Sequence, residues 1–403
     1  MSPDTELLRV SRARPAGYPV NPGLFILFLV ITLLALAHPA AAWSRVLQTS
    51  PSEKGDIVVT EVLTGLDHPW SIAFLPDDAG ALITERPGRL RLWEGGAALS
   101  EPIEGVPAVY AHSQGGLLEV ALPPDFSRSR RVYLSYAEAD EAGKASTTVG
   151  HGVLSADGRK LEDFTVIFRQ EPKLSTGQHF GSRLVFDHQG DLFIALGENN
   201  QRATAQDLDK LQGKVVRLHA DGRIPDDNPF VDDEHARPEI WSYGHRNQQG
   251  AAINPWTRVL WTHEHGPRGG DEINIPHAGK NYGWPLATQG INYDGQPIPE
   301  AQGAHVSGTE PPAYYWEQSP AISGMAFYDA RRFPAWEHSL FIGALKGRTL
   351  IRLELDGDRV VHEERLLQSL EARIRDVRLG PDGFLYLLTD SPQGRLLKVG
   401  LEP

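Results

Sequence analysis

The sequence predicts an all-β fold, a six-bladed β-propeller built from four-stranded antiparallel blades. A strand–turn–strand pattern recurs six times after Ser44, and glycine (40) and proline (30) are abundant enough for the many turns of such a fold. The copies are spaced by roughly 40 to 70 residues, the room that four short strands and their turns require. A β-sandwich or a barrel would not repeat one turn motif six times, so the propeller is favoured over both.

Each copy joins two short apolar strands through a tight turn, which is the signature of a β-hairpin. The copies begin at Ile72, Val120, Leu184, Ala252, Met325 and Val377. A propeller closes when the two ends of the chain meet in one blade. We therefore expect residues 56–63 to pair with the strand at residues 396–399.

Residues 1–42 have the pattern of a signal peptide. Arg9, Arg12 and Arg14 precede an apolar run over residues 24–37, and small residues follow at positions 40–42. The run is too short to span a bilayer comfortably, so cleavage and export to the periplasm are expected, with an uncleaved anchor as the alternative. The mature chain would then be one propeller domain over residues 43–403, without stable membrane insertion.

Composition excludes several classes of function. The formal net charge of −13 disfavours a nucleic-acid partner, because binding phosphates requires a basic face. The chain has no cysteine, which excludes a cysteine nucleophile, a zinc–cysteine site and disulfides. A monomer and a homodimer are both compatible with the sequence.

Polar residues are expected to converge on one mouth of the central channel. The two strands of each hairpin are antiparallel, so the residue before the first strand and the residue after the second share one rim. The residues at these positions are Gln114, Gln178, His179, Arg246, Asn247, Arg373 and Arg375 before first strands, and Glu198, Glu264, His265 and Lys346 after second strands.

The four cations of this rim suit a small anionic ligand. Arg373 and Arg375 are two residues apart on an extended segment and therefore point the same way. With Arg246 and Lys346 they predict a ligand that carries several carboxylates, because arginine pairs bidentately with carboxylate. The alternative is that these cations pair with the acidic residues of the protein itself.

His179 and Glu198 predict an acid–base pair. The hairpin between them returns the chain to the same rim, so the two side chains are expected to touch. A carboxylate that accepts the N–H of one imidazole nitrogen leaves the other nitrogen free to act as a general base. A purely structural histidine is the alternative.

The glycine-rich segment over residues 264–272 suggests a calcium site. Glycines allow backbone carbonyls to face a cation, and oxygen ligands suit calcium. Asp271 and Glu272 are further oxygen donors in the same segment. A plain turn and a zinc site at His263 and His265 are the alternatives, although zinc would lack an obvious third ligand.

These residues resemble the soluble pyrroloquinoline-quinone-dependent glucose and aldose sugar dehydrogenases of the glucose/sorbosone dehydrogenase family. The matching stretches are Gln114-Gly115-Gly116-Leu117-Leu118, Gln178-His179-Phe180-Gly181-Ser182-Arg183-Leu184, Gly213-Lys214-Val215-Val216-Arg217-Leu218, Gly244-His245-Arg246-Asn247-Gln248-Gln249-Gly250, Glu264-His265-Gly266-Pro267, Asp271-Glu272-Ile273-Asn274, Asn281-Tyr282-Gly283-Trp284-Pro285 and Arg373-Ile374-Arg375-Asp376. They extend from about residue 60 to about residue 400, and the periplasmic aldose enzymes are the most similar group.

The resemblance implies a role for each matching residue. His179 would be the general base, supported by Glu198, and would take the proton of the sugar's anomeric hydroxyl while the C1 hydride moves to the quinone. The cofactor-binding residues would be Gln114, Arg246, Asn247, His265, Lys346, Arg373 and Arg375. The carbonyls of Gly266 and Pro267 would bind the calcium that contacts the quinone, where calcium and Arg246 stabilise developing charge. Glu272 and Tyr282 would belong to a second, structural calcium site.

The chain also departs from the glucose enzymes of the family. Glu198 stands where they have aspartate, Gln178 replaces an acidic residue, and His265 replaces glutamine. These changes concern the preference for glucose rather than the chemistry, so the expected substrates are aldose sugars, the products aldonolactones, and the electron acceptor stays open. A calcium-dependent propeller lactonase and a non-catalytic propeller that binds glycans or proteins are the alternatives.

Overall fold

The computed structural model describes residues 45–96 and 98–402. The expected signal peptide, residues 1–42, lies outside the described residues. Within them no helix is long and apolar enough to cross a membrane. The helical segments of the described part are one turn of α-helix, α1 (Phe126–Ser129), and three 3-10 turns at Arg202–Ala205, Pro334–Trp336 and Gln368–Leu370.

The strands form six antiparallel sheets, which are the six blades of a propeller. Blade 1 contains β3 (Pro69–Phe74), β4 (Ala81–Glu85) and β5 (Arg89–Trp93). Blade 2 contains β6 (Leu117–Ala121), β7 (Arg131–Ala139), β8 (Ala145–Leu154) and β9 (Leu161–Arg169). Blade 3 contains β10 (Gly181–Phe186), β11 (Asp191–Leu196), β12 (Lys214–His219) and β13 (Ile240–Tyr243).

Blades 4 and 5 repeat the four-stranded arrangement, and blade 6 is larger. Blade 4 contains β14 (Gln248–Ile253), β15 (Leu260–Glu264), β16 (Asp271–Asn274) and β17 (Tyr314–Trp316). Blade 5 contains β18 (Ile322–Tyr328), β19 (Ser339–Ala344), β20 (Leu350–Asp356) and β21 (Arg359–Leu366). Blade 6 contains β22 (Ile374–Leu379), β23 (Leu385–Thr389), β24 (Gly394–Leu401), β2 (Ile57–Leu66) and β1 (Arg45–Ser50).

The six hairpins predicted from the sequence are confirmed. Each is the pair formed by the first two strands of a blade, namely β3–β4, β6–β7, β10–β11, β14–β15, β18–β19 and β22–β23. The first strands of neighbouring blades contact one another around the ring, and β22 contacts β3 to complete it. The first strand of every blade therefore lines the channel.

The expected closure of the ring is also confirmed. Strand β2 pairs antiparallel with β24, with Val59 opposite Val399 and Leu63 opposite Leu396. Strand β1 adds to the outer side of β2, which gives blade 6 five strands, whereas blade 1 has three in the described residues. Blade 6 thus departs from the expected four strands because the N-terminal hairpin β1–β2 joins it, and blade 1 departs because no fourth strand pairs with β5 in the described residues.

The hydrophobic core lies between the blades. Tyr133 and Val149 of blade 2 pack in one buried cluster with Leu184 and Ile194 of blade 3, and similar clusters fill other junctions between blades. Alternating side chains of each strand face the two neighbouring blades, so burial of both faces locks the blades around the channel. The rims are left to polar residues.

Candidate active site

A cavity of about 390 Å³ opens at the mouth of the channel where first strands begin and second strands end. Its lining includes five of the residues expected there, namely Gln114, Asn247, His265, Arg373 and Arg375. This volume is within the roughly 300 to 1,000 Å³ typical of small-molecule sites. The converging polar residues therefore surround a space that a small ligand can enter. We call this space the mouth cavity.

His179 and Glu198 form a direct pair beside this cavity. The Nδ1 atom of His179 lies 2.8 Å from Oε2 and 3.0 Å from Oε1 of Glu198. An ionised carboxylate can only accept, so Nδ1 carries the proton and Nε2 is the basic nitrogen. Among the described residues Nε2 makes no hydrogen bond, and the residue keeps 8% exposure. The geometry is that of an oriented imidazole with one free nitrogen.

The backbone around His179 is fixed by close contacts. Its N–H donates to Oε1 of Gln114 at 2.8 Å, and its carbonyl accepts the N–H of Asn199 at 3.2 Å. A Cβ at Gly197 would lie 1.9 Å from that carbonyl, so only glycine allows Glu198 to approach. His179 itself has a φ of 51°, a left-handed conformation that is costly for most residues with a Cβ and is often retained at functional sites.

Arg246 and Asn247 are buried where the third and fourth blades meet. The Nη1 atom of Arg246 donates to the carbonyls of His265 (3.0 Å) and Gly266 (2.8 Å), and its guanidinium lies over the ring of Trp284. Its Nε is buried without a partner in the described structure. The side-chain oxygen of Asn247 accepts the N–H of Gly181 at 3.3 Å. Arg246 therefore keeps an unused donor in a buried position.

Arg373 and Arg375 share one carboxylate in the wall of the mouth cavity. The Nη2 atoms of Arg373 and Arg375 lie 2.8 Å and 3.3 Å from Oδ2 of Asp390. Burial alone would raise the pKa of Asp390, but the charges of Arg375 and Arg373 outweigh it and hold that pKa well below its usual range. Burial lowers the pKa of Arg375, whose Nε is also buried without a partner in the described structure. One carboxylate thus only partly neutralises two guanidinium groups.

Lys346 lies in a neighbouring cavity of about 310 Å³, together with Gly266 and Pro267. Lys346 is exposed and makes no ion pair within the described residues. His265 lines both cavities, and its Nε2 bonds to the carbonyl of Ile322. Of the four rim cations, Arg373 and Arg375 thus pair with an acidic residue of the protein itself. Arg246 and Lys346 form no such pair within the described residues.

The expected calcium ligands lie apart in two groups. The carbonyl of Gly266 accepts from Arg246, while the carbonyl of Pro267 accepts no hydrogen bond in the described structure. Asp271 holds the loop by accepting the N–H of Gly266 at 3.0 Å. No group of three or more His, Asp or Glu side chains in the described residues is arranged to hold a metal. A cation here would have to rely on carbonyl oxygens, as the sequence suggests.

Glu272 and Tyr282 lie behind the rim rather than in either cavity. Glu272 is opposite Glu264 across β15 and β16, and burial, together with the charge of Glu264, raises the pKa of Glu272 to about 8. The hydroxyl of Tyr282 donates to the carbonyl of Ile275, and its ring stacks on His245. The paired carboxylates offer the oxygen ligands that calcium prefers.

The zinc alternative at His263 and His265 is not supported by the geometry. His263 is fully buried between β14 and β16, and a Cβ at Gly250 would lie 2.0 Å from its Nε2. His265 instead points to the carbonyl of Ile322 at the rim.

Several residues of the mouth cavity were not found by the sequence analysis. They are His68, Trp70, Arg86, Gln249 and Asp390. Arg86 directly follows β4 and Asp390 directly follows β23, so the rule that identified Glu198 and Lys346 would have identified both. Gln249 lies within a matching stretch, but its contact with Arg375 is not visible in the sequence.

The chain matches the Glucose / Sorbosone dehydrogenase family over residues 66–398. It is 64% identical to the aldose sugar dehydrogenase of Escherichia coli strain K12 over 334 residues, which cover 83% of this chain and 90% of that protein. The structure of the soluble aldose sugar dehydrogenase of E. coli in its apo form superposes with a TM-score of 0.85 at 62% identity, covering 86% and 100% of the two chains. The PQQ-bound form of an aldose sugar dehydrogenase from Streptomyces coelicolor gives a TM-score of 0.72 at 28% identity, covering 87% and 100%.

Proposed function

Because the chain belongs to the glucose/sorbosone dehydrogenase family, we propose that it is an aldose sugar dehydrogenase that depends on pyrroloquinoline quinone and calcium. The observation that carries the proposal is the oriented His179–Glu198 pair beside a cavity lined by cations. The resemblance at these residues and the similarity to a PQQ-bound relative support the cofactor. Residues 1–42, by their pattern, would direct export to the periplasm.

The four rim cations fit a polyanionic cofactor. The Nε atoms of Arg246 and Arg375 are buried donors without partners in the described structure, and an unmade hydrogen bond at such a donor costs roughly 1 to 3 kcal/mol. A carboxylate or carbonyl oxygen of a bound ligand would remove that cost. Arg373 adds charge in the wall of the mouth cavity and Lys346 adds charge in the neighbouring cavity, so the quinone would be held chiefly by guanidinium and ammonium groups.

Bound pyrroloquinoline quinone would supply the two-electron oxidant that no amino-acid side chain provides. Nε2 of His179 would accept the proton of the anomeric hydroxyl as the C1 hydrogen leaves with its electron pair. Glu198 would hold the Nδ1 proton and stabilise the imidazolium that results. Gln114 would keep the backbone of His179 in place, and the sugar would leave as an aldonolactone.

Calcium and Arg246 would balance the charge that develops during the reaction. A divalent cation at the carbonyls of Gly266 and Pro267 would lie beside the guanidinium that already contacts Gly266. Both would act as fixed positive charges in a site that excludes much of the solvent, where electrostatic stabilisation is strongest. Glu272 and the segment around Tyr282 would hold a second calcium with a structural role.

The proposal is tested by reconstituting the purified apo-protein. We expect dye-linked oxidation of aldoses to appear only when pyrroloquinoline quinone and calcium are both added, and an absorbance titration to show saturable quinone binding. A protein that binds no quinone and oxidises no aldose would overturn the proposal. Hydrolysis of lactones in the presence of calcium alone would favour the lactonase instead.

A further inference from the structure

Four charged side chains close the channel beneath the mouth cavity. Nη1 of Arg183 donates to Oε2 of Glu119 at 2.7 Å and to Oδ1 of Asp376 at 2.9 Å. Arg378 bonds to the other oxygen of each acid, with its Nε 2.9 Å from Oδ2 of Asp376. We call these four residues the channel ring. Its two positive and two negative charges balance, and Arg183, Glu119 and Asp376 are almost fully buried.

The channel ring separates two spaces of similar size. Glu119 and Arg378 line a cavity of about 420 Å³ at the opposite end of the channel, among apolar residues of the first strands. The neighbours of Arg183 on its other side, Trp70 and Arg375, line the mouth cavity. Arg183 is therefore the member of the ring that supports the floor of the candidate active site.

The first strands of all six blades meet at the channel ring. Blade 1 contributes the hydroxyl of Ser71, which donates to Glu119 at 2.8 Å, and blade 4 contributes the carbonyl of Gln249. In blade 5 a Cβ at Gly324 would lie 2.0 Å from Oδ1 of Asp376, so only glycine leaves room for the carboxylate. Blades 2, 3 and 6 supply the four charged residues themselves. The ring thus fixes the relative positions of the strands that carry the site.

Arg183 connects the channel ring to the floor of the mouth cavity through two contacts. Its guanidinium lies over the ring of Trp70 at 4.2 Å, and its Nε donates to the carbonyl of Gln249 at 2.7 Å. The side chain of Gln249 in turn accepts from Arg375 at 3.2 Å and donates to Asn247 at 3.2 Å. Arg183 therefore contacts Trp70 and Gln249 directly. Through Gln249 it is connected to Arg375 and Asn247, and all four residues line the mouth cavity.

We propose that Arg183 is a positioning residue for the cofactor, which it never touches. The inference rests on the proposed function, since it concerns how the mouth cavity receives the quinone. Arginine is required because its planar group stacks on an aromatic ring while its N–H groups bond in the same plane. A lysine at this position would keep the charge and lose both the stacking and the fork of donors.

The experiment compares two conservative variants of buried arginines, Arg183→Lys and Arg352→Lys. Arg352 is also fully buried and pairs with three acids, Glu53, Glu354 and Glu364, but it lines neither cavity. We expect both variants to lower the thermal midpoint of the apo-protein. Only Arg183→Lys should raise the quinone dissociation constant, by about tenfold in the absorbance titration, with the KM for sugar unchanged once the quinone is saturating.

The outcomes separate this inference from the proposed function. A wild-type protein that binds no quinone would contradict the proposed function. Wild-type affinity in folded Arg183→Lys, or an equal loss of affinity in both variants, would overturn the positioning role. If Arg183→Lys does not fold, Glu119→Gln decides, because it keeps Arg183 and removes one of its two ion pairs. Its quinone affinity should fall by roughly threefold, and an unchanged affinity would count against the inference.

Discussion

Two histidine–glutamate pairs in successive blades have the same spacing and the same geometry. His179 and Glu198 are 19 residues apart with Nδ1 2.8 Å from the carboxylate, and His245 and Glu264 are 19 residues apart with a distance of 2.9 Å. In each blade the histidine precedes the first strand and the glutamate lies at the end of the second strand or just after it. The repeat of the fold produces both pairs.

The surroundings of the second imidazole nitrogen distinguish the two pairs. Nε2 of His179 is free in the described structure, whereas Nε2 of His245 lies 2.9 Å from the hydroxyl of Ser242 and the residue has 0% exposure. Burial lowers the pKa of His245 to about 3 and raises the pKa of Glu264 to about 8. Burial thus disfavours charge on both members of the second pair and keeps its imidazole out of reach of any substrate.

Glu264 also differs from Glu198 in what else it holds. Its Oε1 accepts the backbone N–H of Arg246 at 2.7 Å, so the buried pair fixes the segment that carries a proposed cofactor ligand. The same motif is thus proposed to perform chemistry in one blade, and it supports the backbone in the next. Access to Nε2, which the spacing of residues does not reveal, separates the two roles.

Replacement of His179 gives the largest expected effect. His179→Gln should lower kcat/KM for aldose oxidation by about 10² to 10⁴-fold, because the anomeric hydroxyl loses its proton acceptor. Quinone binding and the thermal midpoint should remain close to those of the wild type. Steady-state kinetics of the reconstituted enzyme, with the absorbance titration, check this prediction.

The matched control is His245→Gln, at the corresponding position of the next blade. The loss of its buried hydrogen bonds should lower the free energy of unfolding by about 2 kcal/mol. Its kcat/KM should fall by less than about tenfold. Denaturant unfolding and kinetics together separate the two variants. The comparison breaks down if His245→Gln loses as much activity as His179→Gln while remaining as stable as the wild type.

Replacement of Glu198 tests whether the carboxylate orients the base. Glu198→Gln should lower kcat by about 10²-fold, because an amide neither fixes the Nδ1 proton nor stabilises the imidazolium. Glu198→Asp keeps the carboxylate and its charge, so it should recover most of the rate. Equal losses in the two variants would indicate a packing role for Glu198.

The sequence predicts those features that depend on local pattern. Six hairpins, the closure of the ring and the contact between His179 and Glu198 follow from strand periodicity and from the antiparallel return of each hairpin. The three strands of the first blade could not be predicted in this way, because short outer strands leave little signal in the sequence. Arg86 and Asp390 could have been found by extending the rim rule to blades 1 and 6.

The channel ring lies beyond sequence reasoning for a different reason. Arg183 and Asp376 are 193 residues apart, and their contact exists only because six first strands meet on one axis. No periodicity within a blade indicates which inward-facing residues oppose one another across the channel. The hydrogen bond from Arg246 to the carbonyl of Gly266 likewise joins two separate loops, and it is visible only in the folded chain.

The smallest effect is expected at Asp390, a carboxylate of the mouth cavity that pairs with guanidinium groups. Arg375, Arg373 and His68 face it, and the arginines depress its pKa. A depressed pKa stabilises the fold above the unfolded-state value of about 3.9, and this stabilisation is lost as the pH falls towards the folded-state pKa. Asp390→Asn should therefore cost about 2 kcal/mol at pH 7 and at pH 5, and less at pH 3, in urea unfolding.

The control for Asp390 is Asp125→Asn, whose exposed partner is Arg128. An exposed ion pair contributes about 1 kcal/mol or less, so this variant should stay close to the wild type at every pH. A difference for Asp390→Asn that is as large at pH 3 as at pH 7 would mean that its ionisation does not carry the stabilisation. Asp390 would then act through packing and hydrogen bonds, and its contrast with the His245–Glu264 pair, where burial disfavours charge, would not hold.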